Sequence, residues 1–254
     1  MSGRFFMRFN LHNSVGHFPV LADIFERLLP YEQAELACEL KDFEAIQEAR
    51  VERLKEKYAL EIERLQHKKV VFLGDSISSD NLGYRTSVTR AAALEAYDAT
   101  ISGSISSMLL QDTRLLAERQ RPDLVSIMIG SNDSVMIDGL HHVGIAEYER
   151  NLRQMVVWAR AYGAAVLLFE IPPVIESRFE KHFSSNRKSQ SNQNIQSYNQ
   201  VLQKIAKESH VALVSNEWLS NQSELFEPDG IHLSVKGQEL FAEKWLTAAS
   251  ELFS

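Results

Sequence analysis

The chain has little cysteine, no long apolar run and no excess of basic residues. Its single cysteine, Cys38, excludes an internal disulfide, and no spacing of cysteine and histidine is typical of a structural zinc site. Acidic residues outnumber basic ones by 34 to 27, giving a formal charge of -7, so the electrostatic pattern of a nucleic-acid-binding protein is missing. The sequence therefore predicts no nucleic-acid partner and a reducing compartment.

No segment has the length and apolar composition of a membrane span. The first twenty residues carry scattered basic and aromatic side chains, without the unbroken apolar core or the small-residue cleavage site of a signal peptide. We therefore expect no membrane span and a cytoplasmic location. With 254 residues, of which 44% are hydrophobic, the chain can form one full-sized domain and an extension.

Glycine is absent from residues 29–66, and Pro30 stands where a proline suits the first turn of a helix. Within this segment an apolar stripe recurs at spacings of three and four residues: Val51, Leu54, Tyr58, Ile62 and Leu65. The pattern predicts an N-terminal helical extension, residues 1–66, in which Cys38 is a small core residue. The stripe must pack on the chain's own body, on the same helix of a second copy in a homodimer, or on another partner.

After residue 67 short apolar runs alternate with helical segments. The runs lie at 70–73, 124–129, 164–171 and 211–214, with a weaker one at 93–99, and the helical segments lie at 104–119, 145–162, 191–208 and 234–252. Repeated alternation of strand and helix predicts an α/β domain, residues 67–254, with a parallel sheet covered on both faces. The polar, irregular stretch 172–194 is either part of a site at the strand ends or a plain surface connection.

The first apolar run ends at Gly74 and is followed by Asp75 and Ser76. A serine at the carboxyl edge of a central parallel strand, near the start of a helix, is well placed to act as a nucleophile. Free backbone N–H groups there favour a developing negative charge. By itself the pattern is equally typical of a turn with a capping serine that has no catalytic role.

Asp229 and His232 stand three positions apart, just before the C-terminal helical segment. A serine hydroxyl needs a base to take its proton, and the base needs an acceptor that fixes its tautomer. His232 and Asp229 have the residue types for these two roles. An aspartate in a Pro-Asp-Gly turn also has a purely structural explanation.

Two further positions offer hydrogen-bond donors at strand ends. Asn132 follows the run that ends at Gly130, and acyl transfer needs donors aimed at the oxyanion of the tetrahedral intermediate. Gly103 lies between a predicted strand and a predicted helix, where its N–H is a second candidate donor, although a glycine there can simply form the turn. Asp133 is expected to hold the Asn132 loop by hydrogen bonds.

Together these segments resemble the four sequence blocks of the SGNH hydrolases, the GDSL-type esterase and lipase superfamily. The blocks read VVFLGDSIS, ATISGSIS, IMIGSNDS and PDGIHLSVKGQELFAEKW, and the resemblance covers about 67–254. It implies a flavodoxin-like three-layer α/β/α fold and a triad of Ser76, His232 and Asp229. It also implies an oxyanion hole formed by the backbone N–H groups of Ser76 and Gly103 and the side chain of Asn132.

The function implied is that of a serine esterase that hydrolyses a small-molecule carboxylic ester through an acyl-enzyme intermediate, with no metal and no organic cofactor. One alternative is an acyltransferase with the same triad, in which the polar stretch after Pro173 would shield the acyl-enzyme. Another is a non-catalytic scaffold that acts through its N-terminal helices. Retention of the serine, asparagine, aspartate and histidine together argues against the scaffold.

Overall fold

The computed structural model describes residues 8–9, 14–15, 18–19, 33–184 and 187–254, so Pro30 lies outside the described residues. The strands are β1 (Ser14–Val15), β2 (Phe18–Pro19), β3 (Lys69–Gly74), β4 (Glu95–Thr100), β5 (Leu124–Met128), β6 (Met136–Ile137), β7 (Leu140–His141), β8 (Ala165–Phe169), β9 (Lys188–Ser189) and β10 (Ala212–Val214). The α-helices are α1 (Gln33–Lys57), α2 (Ala59–Leu65), α3 (Ser76–Ser79), α4 (Tyr84–Ala91), α5 (Ser106–Gln120), α6 (Ile145–Ala161), α7 (Glu176–Phe183), α8 (Asn192–Ser209) and α9 (Val235–Glu251).

Five strands form a central sheet in the order β10-β8-β5-β3-β4, and every neighbouring pair is parallel. Each predicted apolar run forms one of these strands, with bounds that differ by only a few residues. The chain crosses over between β4 and β5, which lie on opposite sides of β3. In an open parallel sheet this reversal opens a crevice beyond the carboxyl ends of the strands, and ligand-binding sites form there.

Helices cover both faces of the sheet, as the sequence predicts. Along β3, Val71 and Leu73 point to the core formed with α5, α6 and α8, while Val70 and Phe72 point to the core formed with α4 and α9. This alternation follows from the two-residue period of a strand, and apolar residues occupy both faces because both are covered. The architecture is a three-layer α/β/α fold, which confirms the predicted class.

The N-terminal helical pattern is two helices rather than one. Helix α1 ends at Lys57, Tyr58 has non-helical backbone angles (φ -122°, ψ 38°), and α2 begins at Ala59. The buried stripe residues Leu54 and Leu65 belong to the same core as α4 and α9. Tyr58 and Ile62 are partly buried and pack against this core, so the stripe packs on the chain's own body.

Two expectations from the sequence are wrong. The stretch 172–194 is not irregular, because it contains α7 and β9, and β9 pairs with β6 in a small antiparallel sheet of order β7-β6-β9. Cys38 is exposed rather than part of the core. The buried face of α1 runs through Phe43, Gln47 and Arg50, and a helix places Cys38 on another face.

Candidate active site

Strand β3 ends at the turn that carries Ser76. A side chain would not fit at Gly74, because an added Cβ would lie 2.6 Å from Ser78 Oγ. Asp75 then caps helix α3 by accepting a hydrogen bond from the Ile77 N–H at 3.0 Å. Ser76 is the first residue of this helix, so β3 brings its hydroxyl to the carboxyl edge of the sheet.

Ser76 lies at one end of a row of three hydrogen-bonded side chains. Its Oγ is 2.8 Å from His232 Nε2, and Nδ1 of the same ring is 2.5 Å from Asp229 Oδ2. One ring nitrogen thus faces a hydroxyl and the other a carboxylate, an arrangement in which imidazole can accept a proton while its tautomer stays fixed. The structure brings together these three residues, although 156 positions separate Ser76 from His232.

Asp229 is buried and held in its ionised form. Its Oδ1 accepts hydrogen bonds from the backbone N–H groups of Ile231 and His232, both at 3.1 Å. Burial alone would raise the pKa of Asp229, but the hydrogen bond and charge of His232 and the two N–H groups outweigh it and lower the pKa. The turn also requires Gly230, which has a φ of +78° and whose added Cβ would lie 2.6 Å from the Ile175 carbonyl oxygen.

The loop that carries His232 is closed at its base. The Glu227 N–H donates to the His232 carbonyl oxygen at 2.7 Å, and Phe226 and Leu233 form an antiparallel bridge. Ser234 then caps α9 by accepting from the Gly237 N–H at 3.2 Å. These bonds fix the backbone on both sides of the imidazole.

Asn132 and Gly103 reach the same edge of the sheet from β5 and β4. The Asn132 amide donates to the Ser104 carbonyl oxygen at 3.0 Å, so the two candidate donors lie on loops that touch. An amide has a second N–H, which this bond does not use. Gly103 has a φ of +79°, a backbone conformation that favours glycine.

Asp133 and His142 hold the Asn132 loop. Both oxygens of the buried Asp133 carboxylate accept from the Ser106 N–H, at 3.0 and 3.1 Å, as the sequence led us to expect. Burial raises the pKa of Asp133, although the bonds from Ser106 act in the opposite direction. His142 Nδ1 lies 3.1 Å from the Asn132 carbonyl oxygen, a contact that no sequence motif indicated.

Asp75, which precedes Ser76 in the sequence, is a second acidic residue at this turn, and it is fully buried. Burial raises its pKa to about 6, although the Ile77 N–H and the charge of His232 act in the opposite direction. The pKa of Asp75 is therefore raised while that of Asp229 is lowered, because only Asp229 forms a direct hydrogen bond with the His232 ring. The sequence did not distinguish the two environments.

Two residues near the N-terminus contact the site, and no motif pointed to them. The Phe9 ring stacks on the His232 ring with 4.0 Å between centroids and 28° between planes. The Arg8 guanidinium donates to Asp80, which follows α3, and to Glu227, which precedes the His232 turn. The sequence contains only a weak indication of Arg8. Asp80 and Glu227 stand beside the Ser76 and His232 motifs, and a buried acidic residue needs a basic partner.

Within the described part of the chain, no group of three or more histidine, cysteine or acidic side chains is arranged to hold a metal ion. Of the helices that the structure describes, none combines the length and apolar character that crossing a membrane requires. The side chains that meet at the edge of the sheet supply a hydroxyl, an imidazole, a carboxylate and an amide donor.

Comparison with known proteins gives concordant matches. Residues 72–240 match the model of the GDSL-like lipase/acylhydrolase family. Esterase TesA of Pseudomonas aeruginosa is 31% identical over 194 residues, which are 70% of this chain and 86% of that protein. An isoamyl acetate-hydrolyzing esterase 1 homolog of Rattus norvegicus is 29% identical over 139 residues, which are 50% of this chain and 55% of that protein.

Solved structures share the fold. The lipase/acylhydrolase from Enterococcus faecalis superposes with a TM-score of 0.62 at 20% identity, covering 74% of this chain and 97% of that one. The match leaves about a quarter of this chain without a counterpart in that structure. The family match begins at residue 72, so helices α1 and α2 lie outside it.

Proposed function

Because the chain belongs to the GDSL-like lipase/acylhydrolase family, whose members act on ester bonds, we propose that it is a serine esterase with Ser76 as its nucleophile. The observation that carries this proposal is the hydrogen-bonded row from Ser76 Oγ through the His232 ring to Asp229. A serine hydroxyl becomes a useful nucleophile only when a base within hydrogen-bond distance takes its proton. His232 Nε2 meets this requirement at 2.8 Å.

The first half of the proposed reaction forms the acyl-enzyme. Ser76 Oγ attacks the ester carbonyl carbon while His232 Nε2 takes the hydroxyl proton, and the carbonyl oxygen becomes an oxyanion. Collapse of this tetrahedral intermediate breaks the bond to the alcohol oxygen, which receives the proton from the imidazolium. Asp229 holds Nδ1–H and stabilises the imidazolium between the two transfers.

The second half uses the same groups with water as the nucleophile. His232 takes a proton from water, the resulting oxygen attacks the acyl carbon, and a second tetrahedral intermediate forms. Its collapse releases the carboxylic acid and returns the proton to Ser76 Oγ. In each half of the cycle His232 passes on the proton that it takes, so one base serves both halves.

The oxyanion of both intermediates needs preorganised donors. We assign the backbone N–H groups of Ser76 and Gly103 and the side-chain amide of Asn132 to this role. Ser76 begins a helix, where the first N–H groups have no partner within the helix. The bond from Asn132 to Ser104 supports the assignment, because it holds the amide beside the Gly103 turn.

The proposed substrate class is a small-molecule carboxylic ester. Support comes from two similar proteins, one named an esterase and the other an isoamyl acetate-hydrolyzing esterase homolog. Both names describe hydrolysis, and for this reason we favour water over another acyl acceptor. A scaffold would need none of the bonds that orient His232, and this argues against a non-catalytic role.

Hydrolysis of chromogenic esters of graded acyl length tests the proposal. Wild-type protein should hydrolyse at least one of them, and Ser76→Ala should reduce kcat to the background rate. Ser197→Ala is the matched control, because Ser197 lies on α8, where its hydroxyl donates to the Gln193 carbonyl oxygen at 3.2 Å. Unchanged hydrolysis by Ser76→Ala would overturn the assignment of the nucleophile.

A further inference from the structure

The N-terminal segment contributes a buried arginine to the two loops that carry the proposed nucleophile and base. Arg8 Nε and Nη2 donate to the two oxygens of Asp80, at 3.1 and 2.6 Å, and Nη1 donates to Glu227. Nη2 also donates to the Leu233 carbonyl oxygen at 2.9 Å. The backbone takes part as well, since the Asn81 N–H donates to the Arg8 carbonyl oxygen at 3.1 Å.

These partners flank the reacting groups on both sides. Asp80 stands four positions after Ser76, at the end of α3, and also accepts from the Leu82 N–H at 2.8 Å. Glu227 and Leu233 enclose the turn that holds His232. One guanidinium therefore links the loop of the hydroxyl to the loop of the imidazole across the edge of the sheet.

The link is buried and charged. The side chains of Arg8 and Asp80 are 5% and 0% exposed. Burial acts to lower the pKa of Arg8, but the charges and hydrogen bonds of Asp80 and Glu227 outweigh it and raise the pKa, so the guanidinium stays protonated. The planar fork of arginine matches the carboxylate of Asp80 with two parallel bonds, a geometry that lysine cannot reproduce.

Phe9 covers one face of the imidazole. Its ring is 1% exposed and stacks on His232 at 4.0 Å. A flat neighbour at this distance restricts rotation of the imidazole about its own side-chain bonds and keeps water from that face. Arg8 and Phe9 are consecutive, so one short segment both links the loops and supports the ring.

We propose that Arg8 and Phe9 are positioning residues of the esterase site, with Arg8 fixing the His232 loop against the Ser76 loop and Phe9 fixing the plane of the imidazole. This inference rests on the proposed function. Both residues lie far outside residues 72–240, which match the family. We accordingly regard residues 67–254 as the hydrolase domain, and residues 1–66 as an extension that completes its active site.

Steady-state kinetics of Arg8→Met and Phe9→Leu in the full chain test the proposal. Misplacement of the base by about 1 Å costs up to 10²-fold in rate, so each variant should lower kcat by about 10- to 100-fold with little change in KM. Arg8→Lys keeps the charge without the fork and should fall between wild type and Arg8→Met. The matched controls are Arg53→Met, from an exposed pair with Glu239, and Phe43→Leu, which replaces a buried phenylalanine of the same extension.

The second-order rate of Ser76 modification by a fluorophosphonate separates positioning from stability. Rates are compared per folded molecule, with the folded fraction taken from circular dichroism, and Phe9→Leu provides the test if Arg8→Met does not fold. Slower modification in the Arg8 and Phe9 variants, with unchanged rates in both controls, supports the inference. Equal rates in all variants would overturn it and leave the proposed function standing. A wild-type chain that is not modified at Ser76 would overturn both.

Discussion

Solvent reaches the three members of the proposed triad to different degrees. Asp229 is 1% exposed and Ser76 is 8% exposed, while the His232 side chain is 12% exposed. A carboxylate is costly to bury unless charged partners and hydrogen bonds satisfy it, and Asp229 has three donors.

Asn132 provides a prediction that separates transition-state stabilisation from substrate binding. If its amide donates to the oxyanion, Asn132→Ala should lower kcat by about 10²- to 10³-fold and change KM little, because the bond tightens only in the transition state. Asn132→Asp keeps the shape but loses the donor and places a negative charge nearby, so it should be at least as slow. Chromogenic ester kinetics measure both variants. A raised KM at unchanged kcat would show that Asn132 only binds substrate.

Asp75 provides a pH-dependent prediction for stability. Its pKa of about 6 in the folded chain lies above the ordinary value, so the neutral form is favoured in the native state. The contribution of Asp75 to stability is fully present below about pH 4 and is lost as the pH rises through 6. Asp75→Asn keeps an acceptor for the Ile77 N–H and cannot ionise. The free energy of unfolding of Asp75→Asn minus that of wild type should therefore increase between pH 4 and 7, by up to about 3 kcal/mol.

Urea denaturation of both proteins at pH 4, 5, 6 and 7 measures this difference. Groups other than Asp75 titrate in both proteins, so their contributions cancel to a first approximation. A difference that stays constant from pH 4 to pH 7 would show that Asp75 does not change protonation over this range.

At the scale of residues, the candidates that the sequence suggested are those that carry local patterns. Ser76, Asn132 and the Asp229–His232 pair each follow a strand end or precede a helix, and such positions are visible in one sequence. Arg8 was not identifiable, because its partners lie 72 and 219 positions away. A contact between distant segments depends on the folded topology and produces no periodic pattern in the sequence.

At the scale of elements, the buried face of helix α1 includes polar side chains, which makes this face hard to recognise in the sequence. Arg50 is 0% exposed and donates to the carbonyl oxygens of Leu82 at 2.6 Å and Val235 at 2.9 Å. Burial lowers the pKa of Arg50 to about 10, although the charges of Glu239 and Asp80 act in the opposite direction. The apolar stripe predicted helical structure but left open what the stripe packs on, and this arginine interrupts the apolar pattern on the inner face.

The packing of α1 gives a prediction for stability. Leu54 is 2% exposed within the chain's own core, so Leu54→Asp buries a carboxylate without a partner and should lower the free energy of unfolding by about 3 kcal/mol or more. Leu60→Asp is the matched control, because Leu60 is 69% exposed and its replacement should change stability by less than about 0.5 kcal/mol. Urea denaturation measures both variants. Equal effects, or a dimer that becomes monomeric on light scattering, would contradict intramolecular packing.

The five strands of the central sheet and helices α5, α6, α8 and α9 were predictable from the sequence. Both faces of the sheet are covered, and this makes its strands short apolar runs. The short helix α4 and the strands β6, β7 and β9 were not predicted. The break between α1 and α2 at Tyr58 was not predictable, because neither proline nor glycine marks it. Helix α7 was also missed: its eight residues are mostly polar, and only Phe179 is buried. Short helices on a surface carry too little periodicity to be recognised.

At the scale of the whole molecule, the strand order explains why separate motifs meet. Strands β4, β3 and β5 are neighbours and parallel, so the loops with Gly103, Ser76 and Asn132 leave the sheet at one edge. The order itself cannot be read from periodicity, because any order of parallel strands gives the same apolar runs. The resemblance to a known family supplied that information, and it did not extend to the N-terminal segment.

The proposed mechanism depends on Ser76 as the nucleophile of an esterase. Mass spectrometry of peptides from the full chain, after reaction with a fluorophosphonate, tests it most directly. We expect one adduct, on the peptide that contains Ser76, and its loss in both Ser76→Ala and His232→Ala, since the hydroxyl needs the base. An adduct on Ser78 or Ser104 in place of Ser76, or no adduct on the folded wild-type protein, would show that Ser76 is not the nucleophile.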